Sequence, residues 1–352
     1  MNQELVIKII EMILIPFIFV VAIMPTIKKI AFDLHAIDIP GGRHIHKKPT
    51  PKLGGIAIYL GFLLGYMLFG KHGQNMEAIL IGSFIILLTG IADDLLRLKP
   101  LVKFIGQLLA ALVVVFFGQI LISDVSAFGL YIDFSIWSYP LTIFFILGCI
   151  NCINLIDGLD GLSGGISSIY YLTIGIIAIM QGKFGNDFVL TFVMLGSTLG
   201  FLVYNFNPAS IFAGDTGSMF MGYIIAIIAL LGFKNVTMTS LIIPLIILAI
   251  PILDTVFAII RRLLKGQSIS KADKFHVHHQ FLNRNFSTKQ TVLIIYAIDI
   301  LFAVASIVYI YKDNFLGYIV YGILLFLVIG FVFKTNIIFD RELIKQKFKK
   351  SN

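Results

Sequence analysis

Four segments carry most of the chain's chemically capable side chains, and each stands at the edge of a membrane-length apolar run. They are Asp93-Asp94, the row Asn154, Asp157 and Asp160, the stretch Phe212 to Gly217 around Asp215, and the cluster His276, His278 and His279. An aspartate at the middle of a membrane helix costs about 2.5–3.5 kcal/mol, so a chain that sets its carboxylates at helix ends is building an interfacial site. Adjacent carboxylates repel, and the Asp93-Asp94 pair favours a bound cation or a proton kept on one member, either of which suits metal-assisted phosphoryl chemistry. A solvated helix terminus is the plainer alternative for that pair alone.

The other segments narrow the chemistry. Asn154, Asp157 and Asp160 recur every three residues, which aligns them on one face of a helix or its loosened end, and Gly158, Gly161, Gly164 and Gly165 let a ligand approach the backbone. Helix capping accounts for one acid of such a row, not for three polar residues. Asn205, Phe212 and Asp215 offer an amide, an aromatic face for stacking and an acid framed by glycines; hard Mg²⁺ prefers such oxygen ligands, although Asp215 or Ser218 could simply cap the next helix. Three histidines within four positions, in the basic loop from Arg261 to Lys289, can grip phosphate, act as acid and base, or ligate zinc. The loop from Gly41 to Gly55 is too rich in proline and glycine to be helical, and Arg43, His46, Lys47 and Lys48 give it charge for a phosphate or for anchoring at a membrane surface.

These residues need helices to hold them. With 58% hydrophobic and 13% charged residues and a mean hydropathy of +0.96, the chain has too little polar surface to clothe a water-soluble core, so it reads as an integral membrane protein. Apolar runs fall near 5–24, 54–70, 79–92, 101–122, 139–153, 162–181, 187–204, 217–233, 238–258, 291–311 and 315–333, which predicts about eleven transmembrane helices. Runs such as Ile242 to Ile252 lack the alternation of a barrel strand, so the predicted fold class is all-α and polytopic. Of the 27 Lys and Arg residues, 22 fall in loops of one side, which predicts a cytoplasmic carboxyl terminus and an external amino terminus. The first run, with Lys8 and Glu11 inside it and no small-x-small site before Pro25, is expected to stay as a helix.

Nothing in the sequence marks a repeat or a soluble insertion, so residues 1–352 are expected to form one membrane-embedded domain with all its motifs on the cytoplasmic face. Cys149 and Cys152 lie in an apolar stretch with no adjacent zinc ligands and read as small buried residues. The net charge of +8 is explained by loop topology and does not call for nucleic acid. A transporter would place polar residues at the bilayer midplane in broken helices, which is the rival reading from a different class.

Taken in order from Arg43 to His279, the motifs resemble those of the polyprenyl-phosphate N-acetylhexosamine-1-phosphate transferases (glycosyltransferase family 4), which include WecA and TagO in one branch and the MraY translocase in another. The resemblance implies ten or eleven membrane helices, Mg²⁺ as cofactor with Mn²⁺ as a substitute, and a UDP-sugar and a polyprenyl phosphate as partners. It implies catalytic roles for Asp93, Asp94 and Lys103, with Gln107 as the amide that follows, and for His278 and His279 on the phosphate side. It implies substrate contacts from Arg43, His46, Lys47 or Lys48, Asn154, Asp157, Asp160, Asn205, Phe212 and His276, and metal ligation by Asp215 with Asn154 nearby. Asp273-Lys274-x-His276-x-His278-His279 is similar to the WecA and TagO branch, because Val277 interrupts the run of three histidines typical of MraY.

The expected function is therefore transfer of N-acetylglucosamine 1-phosphate from UDP-N-acetylglucosamine to undecaprenyl phosphate at the cytoplasmic leaflet of a bacterial plasma membrane, releasing UMP and starting a cell-wall or surface glycan. A phospho-MurNAc-pentapeptide translocase is the alternative, and the oligomeric state stays open, a homodimer included. A CDP-alcohol phosphatidyltransferase is disfavoured because Leu162-Ser163-Gly164-Gly165 stands where that signature needs an arginine after an alanine and further acids.

Overall fold

A computed structural model describes residues 3–39, 49–127, 130–232, 239–264, 266–268, 276–311 and 314–334. Its elements in chain order are α1 (Gln3–Asp33), β1 (Ile37–Asp38), β2 (Thr50–Pro51), α2 (Gly54–Phe69), α3 (Gln74–Leu96), α4 (Pro100–Leu112), β3 (Asp124–Ala127), β4 (Leu130–Asp133), α5 (Ser138–Ile156), α6 (Leu162–Gln181) and α7 (Asn186–Asn205). There follow α8 (Gly214–Gly232), α9 (Thr239–Ile247), α10 (Ala249–Leu264), the short α11 (Val277–Leu282), α12 (Thr288–Tyr311) and α13 (Asn314–Lys334). The protein is an all-α polytopic membrane protein. Among the described residues, the strands form two small antiparallel pairs, β1 with β2 and β3 with β4.

Among the described residues, eight helical segments are long and apolar enough to cross a bilayer, while α2 and the 319–330 part of α13 are apolar but shorter. The run expected at 238–258 is not one continuous helix: it divides at Leu248 into α9 and α10. Pro251 has no N–H to offer the carbonyl of Ile247, so the ladder is interrupted there.

Helix α8 is the hub, with every residue from Thr216 to Leu230 buried. Lipid tails are as apolar as leucine, so close backbone approach has to supply the packing energy between membrane helices, and small residues permit it. A Cβ on Gly55 of α2 would fall on the backbone of Gly217, and one on Gly90 of α3 would fall on the backbone of Thr216. A Cβ on Gly222 would lie 2.7 Å from the carbonyl oxygen of Cys149 in α5. Three helices are thus drawn flush against α8, and two of them, α3 and α5, end in the acids and amide of the sequence motifs.

Candidate active site

The amino terminus of α8 is the anchor of the site. Gly214 opens the helix at φ +70°, a conformation costly for other residues, and a Cβ there would strike the Asp94 carboxylate and the Lys52 carbonyl. The first N–H groups of a helix have no partner within it. Asp94, arriving from α3, supplies one: its oxygens accept from the N–H groups of Asp215 and Thr216, at 3.0 Å each, and from the Thr216 hydroxyl at 2.6 Å. Asp94 is accordingly buried and spent as a cap in trans.

Asp93, one residue earlier, faces elsewhere. Its Oδ1 accepts the Leu98 N–H at 2.8 Å, and its Oδ2 lies 3.4 Å from the ammonium of Lys103. Lys103 comes from the first turn of α4, where Pro100 sits at the helix start, as proline favours. The same ammonium lies 2.5 Å from Asp215 Oδ1 and 3.3 Å from Asn154 Oδ1. The Asn154 amide donates to the Ser218 hydroxyl at 2.8 Å and also to Asp215 Oδ1. Gln107, a turn deeper, is buried against Met219 and Asn151 and does not join this cluster.

The row Asn154, Asp157, Asp160 is shared between a helix and a turn. Asn154 is helical, Asp157 follows the last residue of α5, and Asp160 lies in the connection that Gly161 closes at φ +82°. Ser163 donates to Asp157 at 2.5 Å. Burial, reinforced by the charges of Asp215, Asp94 and Asp160, outweighs that bond and pushes the Asp157 carboxyl up to about 7. Asp160 Oδ2 accepts from the Asn207 amide at 2.8 Å and the Ala209 N–H at 3.0 Å. Asn205 bridges backbone: it accepts from the Gly161 N–H at 3.0 Å and donates to the Ile211 carbonyl at 2.9 Å. The Tyr296 hydroxyl of α12 secures the Gly161 carbonyl at 2.5 Å.

On the far wall, the imidazoles of His276 and His278 stack at 5.7 Å and 4°, and His278 leans on His279 at 4.3 Å. Burial and then the neighbouring His279 push His278 down to about 3, so it is a neutral imidazole. These walls enclose an open cavity of about 430 Å³ lined by Asp94, Asn154, Asp157, Asp160, Asn205, Phe212, Asp215, His278 and His279 together with Asp38, Lys52, Asn207, Ser218 and Thr288.

The structure therefore brings together nine of the residues expected from sequence, with Lys103 bonded directly to that set and Asp93 joined to it through Lys103. His276 does not line the cavity; it is buried one imidazole behind it. Arg43, His46, Lys47 and Lys48 lie outside the described residues. Asp38, Asn207 and Thr288 carry no spacing signal in the sequence, because they are single polar residues in a two-residue strand, a bend and a helix start.

Among the described residues, no group of three or more His, Cys, Asp or Glu side chains has the arrangement of an all-protein metal cage. The donor set nevertheless fits Mg²⁺, which takes one or two carboxylates and completes its shell with water and phosphate. Asp215, Asn154 and Asp93 already turn hard oxygens toward one cationic group, the Lys103 ammonium.

The site thus lies in a polytopic membrane protein of all-α class, and the family model described as "Glycosyl transferase family 4" matches residues 76–233. The chain is 41% identical over 318 residues to a probable undecaprenyl-phosphate N-acetylglucosaminyl 1-phosphate transferase of Bacillus subtilis (strain 168), covering 88% of this chain and 87% of that protein. A decaprenyl-phosphate N-acetylglucosaminephosphotransferase of Mycobacterium leprae is 31% identical, covering 76% of this chain and 75% of that protein. A phospho-N-acetylmuramoyl-pentapeptide-transferase of Bacillus anthracis is 29% identical, covering 81% of this chain and 91% of that protein. The chain belongs to glycosyl transferase family 4.

Proposed function

We propose that the protein transfers N-acetylglucosamine 1-phosphate from UDP-N-acetylglucosamine to undecaprenyl phosphate, with UMP as the leaving product. The observation that carries this reading is the convergence of Asp93, Asn154 and Asp215 on Lys103 at the amino terminus of α8, beside a cavity of about 430 Å³. The higher identity to the N-acetylglucosaminyl relative, 41% against 29% for the muramoyl-pentapeptide one, supports the sugar assignment.

An oxygen of the lipid phosphate forms a bond to the β-phosphorus of the UDP-sugar, and the bond from that phosphorus to the oxygen bridging to the α-phosphate breaks, releasing UMP. Both reactants are anions, so the main task of the protein is neutralisation and alignment. Lys103 offers a positive charge between the acids and the incoming phosphates. Asp93, at the end of a membrane helix, is placed to orient the lipid phosphate or take its proton. Asp160 and Asn207 offer hydrogen bonds to the uracil and Phe212 a ring face, while His278 and His279 border the phosphates. Mg²⁺ held by Asp215 and Asn154 would supply Lewis-acid stabilisation of the pyrophosphate oxygens.

The loop charges support a cytoplasmic site, an external amino terminus and residence in the plasma membrane. The test is a panel assay of purified protein with undecaprenyl phosphate and either UDP-N-acetylglucosamine or UDP-MurNAc-pentapeptide. Lipid-linked N-acetylglucosamine pyrophosphate and stoichiometric UMP are expected from the first donor. Turnover with the second alone would move the protein to the other branch.

A further inference from the structure

The sequence gives no reason to single out Asp254, which sits in the apolar run Ile250 to Ile260. In the structure it is 2% exposed on α10, and a buried carboxylate is strongly unfavourable unless hydrogen-bond donors compensate it. Two do so, one on each oxygen. Oδ1 accepts the Val277 N–H at 2.8 Å, and Oδ2 lies 2.8 Å from His276 Nδ1. A carboxylate can only accept, so His276 Nδ1 carries the proton of this bond, and the bond fixes the orientation of the ring. The plane of His276 is then copied by His278, which stacks on it at 4°, and His278 in turn supports His279. The Nε2–Cε1 edge of His278 abuts Gly158 in the nucleotide turn, where a Cβ would lie 2.7 Å from Nε2.

We propose that Asp254 is a positioning residue for the transfer reaction: through His276 it sets the orientation of the imidazole stack that ends in the cavity at His278 and His279. This rests on the reading of the cavity as the active site. It differs from a cap on α11, which would use only the Val277 contact and leave the second oxygen without purpose. Carboxylates that orient metal-ligating histidines change affinity or activity by about 10- to 100-fold when removed, and a loss of that order is expected here.

The two bonds can be separated experimentally. Asp254→Asn disturbs both. Val277→Pro removes only the N–H, and it suits the local geometry because Val277 is the first residue of α11 and His276 precedes it at φ −59°, ψ 155°, where a residue before proline belongs. Turnover of UDP-N-acetylglucosamine and the thermal midpoint in detergent are measured for wild type and both variants.

Asp254→Asn is expected to lower kcat about 10- to 100-fold with KM for the UDP-sugar within about twofold, the pattern of an interaction used in the transition state. Val277→Pro is expected to keep kcat within about threefold of wild type, because the His276 contact that sets the rate survives. Unchanged kcat in Asp254→Asn, or an equal loss in Val277→Pro, would overturn the proposal. If Asp254→Asn does not fold, His276→Asn, which keeps the α11 cap, takes its place: an equivalent kcat loss supports positioning and a retained kcat overturns it. A wild-type protein without turnover would instead remove the active-site reading itself, and this inference with it.

Discussion

Lys103 and Asp215 are 112 residues apart in sequence and 2.5 Å apart in space, joined at the point where α4 passes the amino terminus of α8. Among the described residues, the ammonium is the one cationic group bonded within the cluster that also holds Asp93 and Asn154, so it contributes positive charge where an incoming phosphate would arrive.

Replacing Lys103 with Met should therefore cost about 100- to 1,000-fold in kcat, the range seen when one charge-stabilising donor is lost from a preorganised site. The assay is UMP release by purified protein in detergent. Activity within a few-fold of wild type would mean that the ammonium balances the acids and does not serve the phosphates.

The two neighbouring aspartates should behave differently. Asp94 holds three donors of the α8 amino terminus, so Asp94→Ala is expected to lower stability by about 1–3 kcal/mol, read as a lower thermal midpoint. Asp93→Asn keeps the shape of the side chain and caps nothing in α8, so kcat should fall with the midpoint nearly unchanged. The same midpoint loss in both variants would contradict this division.

Gly158→Ala should reduce turnover while leaving the bundle folded, because the added Cβ meets the buried ring of His278 at 2.7 Å and the ring has little room to retreat. Gly55→Ala puts its methyl on the backbone of Gly217 in the hub helix, and overpacking of that kind costs about 1–3 kcal/mol. Comparing folded yield with specific activity for the two variants checks the contrast.

Cys149 and Cys152 are buried, which leaves the native chain quiet toward an impermeant thiol reagent. Cysteines introduced at Ser270 and Ser351 should stay protected in intact cells, whereas one at Asn235 should react, as the distribution of basic residues requires. Reversed labelling would put the site on the leaflet that UDP-sugars do not reach.

Much of this site is legible in the sequence because carboxylates at the ends of apolar runs carry a solvation cost that demands a reason. The sequence marks Asp93, Asp157, Asp160 and Asp215 on that ground, and the all-α class follows from run length. What the sequence hides is which partner each acid takes. Asp94 looks equivalent to Asp93, yet its donors lie over 120 residues away on α8, and no local spacing encodes that pairing. Asn205 looks like a ligand residue and is used to tie Gly161 to Ile211. Asp254 sits in a run that hydropathy reads as plain membrane helix, and its purpose appears only when His276 is folded onto it. The break at Leu248 is marked by Pro251, but proline is tolerated within membrane helices often enough that the run alone does not reveal it.

Asp215 offers the most direct test of the whole account, since it joins Lys103 and Asn154 and is the residue assigned to hold Mg²⁺. UMP release from UDP-N-acetylglucosamine and undecaprenyl phosphate should be measured at saturating Mg²⁺ for wild type and for folded Asp215→Ala, with wild type repeated after chelation. The account predicts that wild type turns over, that chelation stops it reversibly, and that the variant loses at least about 1,000-fold, a Lewis acid being worth several kcal/mol in the transition state. Near-normal transfer by Asp215→Ala would contradict the account by removing the cluster at the head of α8 from the chemistry.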